Sequence, residues 1–153
     1  MRLETVSLAV QSAVLLILAI HDWVPLGRLN DLAGLKKRIS VRENLFYTIV
    51  NCFPVALAMG LTAWYFGRPE PLAVSLYGVL LYGLMLAGAI RAWWIPYFFG
   101  TSPERVERYN DMFGNTHAFL PPRNGIVPNT LHCVLHLGFL LSFLFYVLEL
   151  ANV

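Results

Sequence analysis

Four stretches of this chain contain no Asp, Glu, Lys or Arg: Thr5 to Ile20, Asn44 to Gly67, Pro71 to Ile90 and Asn124 to Leu148. A helix crosses the hydrocarbon of a bilayer with about 20 apolar residues, and among open structures only a helix satisfies its own backbone there. The last three stretches are long enough as they stand, and Trp23 to Leu26 completes the first at the interface. Of the 153 residues, 58% are hydrophobic and 13% are charged, whereas soluble domains carry about 25% charged residues. The sequence therefore predicts an all-α, polytopic integral membrane protein. It reads as a single membrane domain over residues 1–153, a four-transmembrane-helix bundle with spans at about 4–24, 43–66, 71–95 and 127–149, and larger loops at 25–42 and 96–126.

The first stretch is read as a retained span rather than a signal peptide. MRLET is weakly charged, and AIHDW offers no small-x-small cleavage site. The two cysteines, Cys52 and Cys133, form no CxxC and read as buried packing residues. Nine basic residues flank one side of the spans: Arg28, Lys36, Lys37, Arg38, Arg42, Arg91, Arg105, Arg108 and Arg123. Only Arg2 and Arg68 fall on the other side. The positive-inside rule then places both larger loops in the cytoplasm and both termini outside, in the cytoplasmic membrane if the source is bacterial.

All four histidines fall at the loop-bearing side under this topology. His21 ends the first span, His117 lies in the third connection, and His132 and His136 begin the fourth span. Helical spacing puts Asn129, His132, His136, Phe139 and Phe143 on one face of span four. Glu4, Ser7, Gln11, Val14, Leu18 and His21 share a face of span one, and Asn44, Tyr47, Thr48 and Asn51 share one of span two, close to Pro54. Polar residues in a span usually face the bundle interior or a wet cavity, so a polar vestibule open on the loop side is expected. Gly78, Gly83 and Gly88 of span three, and Ala56 and Gly60 of span two, read as small residues for close helix packing. Trp93, Trp94 and Tyr97 read as interfacial anchors.

SPERVERYNDMFG predicts a short amphipathic interfacial helix between spans three and four. Ser102 would be its N-cap, Pro103 its first residue and Gly114 its stop, with Val106, Tyr109 and Phe113 along one face. The Pro-rich return that comes after it carries His117 and has the length of a functional lid.

Three functions fit these residues. In the first, His132 and His136, two imidazoles on successive turns of one face, bind a transition metal (zinc or iron) with further ligands from His21, His117, Asp22 or Glu43. The HxxxH pair resembles one histidine box of the membrane-bound di-iron desaturases and hydroxylases. That family's centre draws on several such boxes, so its activity is not carried over. Haem would need His21 opposite His132 or His136, since neighbours on one helix cannot be opposite axial ligands. In the second, Asn129, Arg91, Arg123, Asn44 and Asn51 surround a lipid headgroup or other ligand, with His132 and His136 as the candidate catalytic acid and base. In the third, the chain is an accessory or structural subunit, and the same residues serve interhelical hydrogen bonds and a membrane-protein partner or homo-oligomer. Membrane lipids are expected partners. Nucleic acid is not, because the LKKRIS run is explained by topology and anionic lipid.

Overall fold

The computed structural model describes residues 3–151; Arg2, which enters the charge asymmetry above, lies outside them. Six helices follow one another: α1 (Leu3–Ile20), α2 (Leu32–Arg38), α3 (Val41–Trp64), α4 (Leu72–Phe99), α5 (Pro103–Phe113) and α6 (Thr130–Ala151). No strand occurs among the described residues. Helices α1, α3, α4 and α6 are each long and apolar enough to cross a membrane. The all-α, four-span architecture is that expected from the charge-free stretches. The bounds differ at the site: α1 stops at Ile20, so His21, Asp22 and Trp23 occupy a turn, and α6 starts only at Thr130.

The bundle is an uneven ring. Helix α1 packs on both α3 and α6, and α4 packs chiefly on α6, while α3 and α4, though consecutive in the chain, meet least. The core is built from Val14 and Leu18 of α1, Val55 and Ala58 of α3, Tyr82 and Ala89 of α4, and Leu135, Phe139 and Tyr146 of α6. Ser7, Gln11, Val14 and Leu18 are the buried residues of α1, as their shared face predicts. The small residues divide into two roles. Gly78 lies against the Tyr146 ring, where a Cβ would overlap it, and Gly83 faces Phe143; Gly60 and Gly88 have nothing within 4 Å of where a Cβ would stand. Close packing therefore lies along α6, at its seam with α4 and, through Gly138 against Val14, at its seam with α1.

One hydrogen-bond cluster ties all four spans together. Gln11 of α1 donates through Nε2 to Ser7 Oγ (2.9 Å) and to Thr62 Oγ1 of α3 (3.2 Å). Its Oε1 accepts from the hydroxyls of Tyr82 on α4 (3.4 Å) and Tyr146 on α6 (3.3 Å). Thr62 Oγ1 and Tyr146 OH lie 2.8 Å apart, and Tyr146 also donates to the Ala58 carbonyl at 3.2 Å. A polar group stranded in hydrocarbon costs several kcal/mol, so these side chains hold one another in place.

The shorter helices form a layer across the loop end. Asp31 caps α2 by accepting from the Gly34 N–H (2.8 Å) and from Asn115 (2.9 Å). Ser40 and Glu43 make a reciprocal capping box that starts α3. Arg38 of α2 pairs with Glu107 (3.1 Å) and Asp111 of α5, and Gly34 lets the two helices approach, since a Cβ there would overlap the Asp111 carbonyl. The apolar face of α5 packs downward: Tyr109, with Val106 and Phe113, forms a second small core with Trp93, Trp94 and Ile126. The interfacial helix is thus a lid seated on the bundle.

This packing has two measurable consequences. Gln11→Leu should cost about 1–2 kcal/mol, the scale of interhelical hydrogen bonds in membranes, in reversible unfolding from detergent. Hydrogen bonds to Gly34 N–H and Asn115 hold the Asp31 carboxyl below its ordinary range. A depressed pKa contributes stability that is present above the unfolded value, about 3.9, and is lost as pH falls through the folded one. Hydrogen exchange should accordingly show α2 amides losing protection on acidification below that range while the spans keep theirs.

Candidate functional site

At the loop end of the bundle the chain brings three of its four histidines together. The His21 and His132 ring centroids are 5.8 Å apart, and those of His132 and His136 are 6.0 Å apart. Two features of the backbone create the cluster. The turn after α1 is pinned by Asn30, whose Nδ2 donates to the carbonyls of His21 (2.5 Å) and Val24 (2.8 Å) and whose Oδ1 accepts from Leu26 N–H (2.8 Å). The other is a π-turn in α4, Ile90–Trp94, closed by Ile95 N–H to the Ile90 carbonyl. Successive residues of a regular helix point about 100° apart; a π-turn inserts an extra residue and re-aims the side chains beyond it. Here both tryptophans reach histidines: the Trp93 ring lies 4.1 Å from that of His132, and Trp94 Nε1 donates to His136 Nδ1 at 3.2 Å. Arg105 of α5 fastens the lid to this turn by donating to the Arg91 and Ala92 carbonyls at 3.4 and 2.9 Å.

Hydrogen-bond partners fix the proton positions of the three imidazoles. The Thr116 hydroxyl donates to the Phe113 carbonyl (2.7 Å) and accepts from Asn129 Nδ2 (3.1 Å). Asn129 Oδ1 is thereby left to accept from His132 N–H (2.9 Å) and from His132 Nδ1 (2.8 Å). An amide oxygen only accepts, so His132 carries its proton on Nδ1 and bears a lone pair on Nε2. The opposite holds for His136: the indole N–H only donates, so Nδ1 is bare and Nε2 carries the proton. His21 donates through Nδ1 to the Ile17 carbonyl (2.9 Å), and its Nε2 stands 3.3 Å from Asp22 Oδ2. That contact is an ion pair when the imidazole carries a second proton.

The remaining site candidates are distributed elsewhere. His117 is a stitch in the lid: its Nδ1 meets Thr130 Oγ1 at 2.7 Å, its N–H donates to the Arg28 carbonyl and its carbonyl accepts from Thr130 N–H. Glu43 is occupied in the α3 capping box. Among the described residues, no group of three or more His, Cys, Asp or Glu side chains is disposed to hold one metal ion. Of the six expected ligands, His21, Asp22, His132 and His136 line one crevice without forming such a group, while Glu43 and His117 are engaged elsewhere. Of the expected ligand-binding residues, Asn129 orients His132, and Asn44 donates to the Asp22 carbonyl (3.2 Å). Asn51 donates to Tyr47 O and lines the cavity beside the histidines. Arg91 and Arg123 are not part of the cluster; Arg123 stacks over Phe98 at 5.3 Å. Trp93, Trp94, Thr116 and Asn30 were not legible as site residues. The WW pair reads equally as an interfacial anchor, and the π-turn has no residue signature.

Two open volumes meet at the cluster. A crevice of about 520 Å³ runs between α3 and α4, floored by α6 and α1. Its rim includes Tyr47, Asn51, Leu84, Gly88 and Ala92, all exposed, so it opens sideways where the ring of spans is loosest. Leu81, Met85, Leu135 and Phe139 make its walls apolar, and His21, Asp22, His132 and His136 form its polar end. A second recess, about 840 Å³, lies under α5; its lining is largely apolar, with Ile39, Met112, Phe113 and Ile126, and includes Glu104, Arg105 and Arg108. Tyr47, Ala92, Trp93 and His132 border both volumes.

Comparison with protein-family models, curated proteins and solved structures gave no match, so the chemistry of these two volumes carries the functional reading. Asn129→Ala should remove about 1 kcal/mol with the helix cap and release the His132 ring. Nitrogen-15 NMR of the labelled imidazole should then show the Nδ1–H tautomer giving way to a mixture.

Proposed function

We propose that the chain binds a single lipid, with an acyl chain in the crevice between α3 and α4 and the headgroup in the recess beneath α5. The observation that supports this is that the two volumes are neighbours sharing four lining residues, Tyr47, Ala92, Trp93 and His132. A slot open to the side of the bundle, with a His-bearing end, lies beside a largely apolar recess under α5 whose lining includes Glu104, Arg105 and Arg108. Both volumes are of small-molecule size, since ligand sites run to about 300–1,000 Å³.

The chemistry of each part matches an amphiphile. Leu81, Leu84 and Met85 of α4 and Leu135 and Phe139 of α6 present only hydrocarbon and ring surface to a chain. From Leu81 to Ala92 the α4 wall runs about 17 Å at 1.5 Å per residue. Arg105 and Arg108 suit a phosphate, and Glu104 beside them would accept from a headgroup ammonium or hydroxyl. On the positive-inside reading the headgroup would sit at the cytoplasmic leaflet. A water-soluble ligand would have no use for a slot that faces hydrocarbon.

Gly88 provides a test that leaves the histidines alone. It lines the crevice, and a Cβ added there has no neighbouring atom within 4 Å. Native mass spectrometry of the protein released from detergent should show phospholipid retained by the wild type and at least about tenfold less retained by Gly88→Trp. Equal retention by the two, or none by either, would remove the crevice as a lipid site.

A further inference from the structure

A lipid bound in the two volumes would set one particular part of itself at the histidines. In a glycerolipid the ester lies where the chain meets the headgroup, and in this protein His132 lines both volumes. Resting on the lipid-binding reading, we infer that the three-histidine cluster is an ester-hydrolysing centre for a glycerophospholipid, with His132 as general base, His136 as donor to the oxyanion and the His21–Asp22 pair as general acid.

The assignment comes from the ring nitrogens left over once the structural hydrogen bonds are counted. His132 uses Nδ1 on Asn129, and His136 uses Nδ1 on Trp94. Neither Nε2 has a partner among the described residues. Of the fully buried side-chain N and O atoms described, only Ser142 Oγ lacks a partner, so both Nε2 atoms reach open volume, and both residues line the crevice. One Nε2 is a base and the other a neutral N–H donor. These are the two different functions that acyl transfer to water requires. Neutral imidazole is a competent hydrogen-bond donor to a developing oxyanion. The third ring lies 5.8 Å from His132 between centroids, with its Nε2 3.3 Å from the Asp22 carboxylate, which favours a proton on that nitrogen.

The step balances without a cofactor. His132 Nε2 takes a proton from water as the water oxygen bonds to the ester carbonyl carbon, and the carbonyl oxygen becomes an oxyanion facing His136 Nε2–H. Collapse breaks the bond between the acyl carbon and the alkoxy oxygen, and the alkoxy oxygen takes the His21–Asp22 proton. A fatty acid and a lysolipid leave. The proton on His132 restores the His21–Asp22 pair, and no oxidant or reductant is consumed. Asn129 is a positioning residue, since it acts only by holding the His132 ring and tautomer.

The test uses the full-length protein in dodecyl maltoside micelles containing dioleoyl phosphatidylglycerol, in water enriched in oxygen-18. Wild type should release oleate bearing one heavy oxygen in its carboxylate, the mark of acyl–oxygen cleavage. His132→Gln should bind the lipid as wild type does, by native mass spectrometry, and release oleate at least about 100-fold more slowly. His132→Ala should recover part of the rate with added imidazole, which separates a lost base from a misfolded chain. A wild type that binds phosphatidylglycerol but releases no labelled oleate overturns this inference and leaves the binding reading standing. Undiminished release by His132→Gln overturns it as well, and a wild type that binds no lipid overturns both.

Discussion

The structure depends on a glutamine in hydrocarbon. Gln11 has no water to turn to, and its amide meets side chains of all the other spans, Thr62, Tyr82 and Tyr146. Between lipid-exposed helices the hydrophobic effect gives little net drive, because a leucine facing another helix gains little over one facing an acyl chain. Hydrogen bonds and close packing must decide which faces turn inward. The Gln11 cluster does so in the half of the bundle near the termini, and the Gly78–Tyr146 contact sets the α4–α6 seam beside it. With those fixed, α3 and α4 are left as the loosest neighbours, and the crevice lies between them.

The loop end is organised by a different means. The lid is held by a series of polar contacts: Arg105 on the π-turn carbonyls, Arg38 on Glu107 and Asp111, and His117 on Arg28 and Thr130. Under it, Trp93 and Phe113 enclose the His132 ring, with centroids at 4.1 and 5.2 Å. Rigid aromatic walls and a chain of bonds from Phe113 through Thr116 and Asn129 leave this imidazole one orientation and one tautomer. Such a preorganised group fits a site more readily than it fits a solvated helix end.

A good part of the bundle was legible residue by residue. The Ser7–Gln11–Val14–Leu18 face of α1 is buried, and His136 and Phe139 of α6 point inward together. Ser102 and Pro103 begin the interfacial helix. Each reading succeeded because a span must satisfy its backbone internally, which makes helical period a direct guide to which side chains share a face. The site was legible only by level. His21, Asp22, Asn129, His132 and His136 come together at the loop end, but His117 and Glu43 have their side chains engaged elsewhere. Height along the membrane normal follows from sequence position, whereas direction around it depends on neighbours.

The sequence alone determined that the chain is all-α, that it has four spans, and that its polar residues gather toward one end, because charge-free length and helical period act within a single segment. Only the tertiary structure decided that α3 and α4 part to form a crevice. It alone aimed two consecutive tryptophans at two histidines through a π-turn, and it alone gave His132 and His136 opposite tautomers. Those outcomes rest on contacts between segments far apart in the chain: Trp94 with His136, Thr116 with Asn129, and the turn after α1 with the start of α6. A proton's place on an imidazole is set by the partner that faces it, and that partner is known only when the chain has folded.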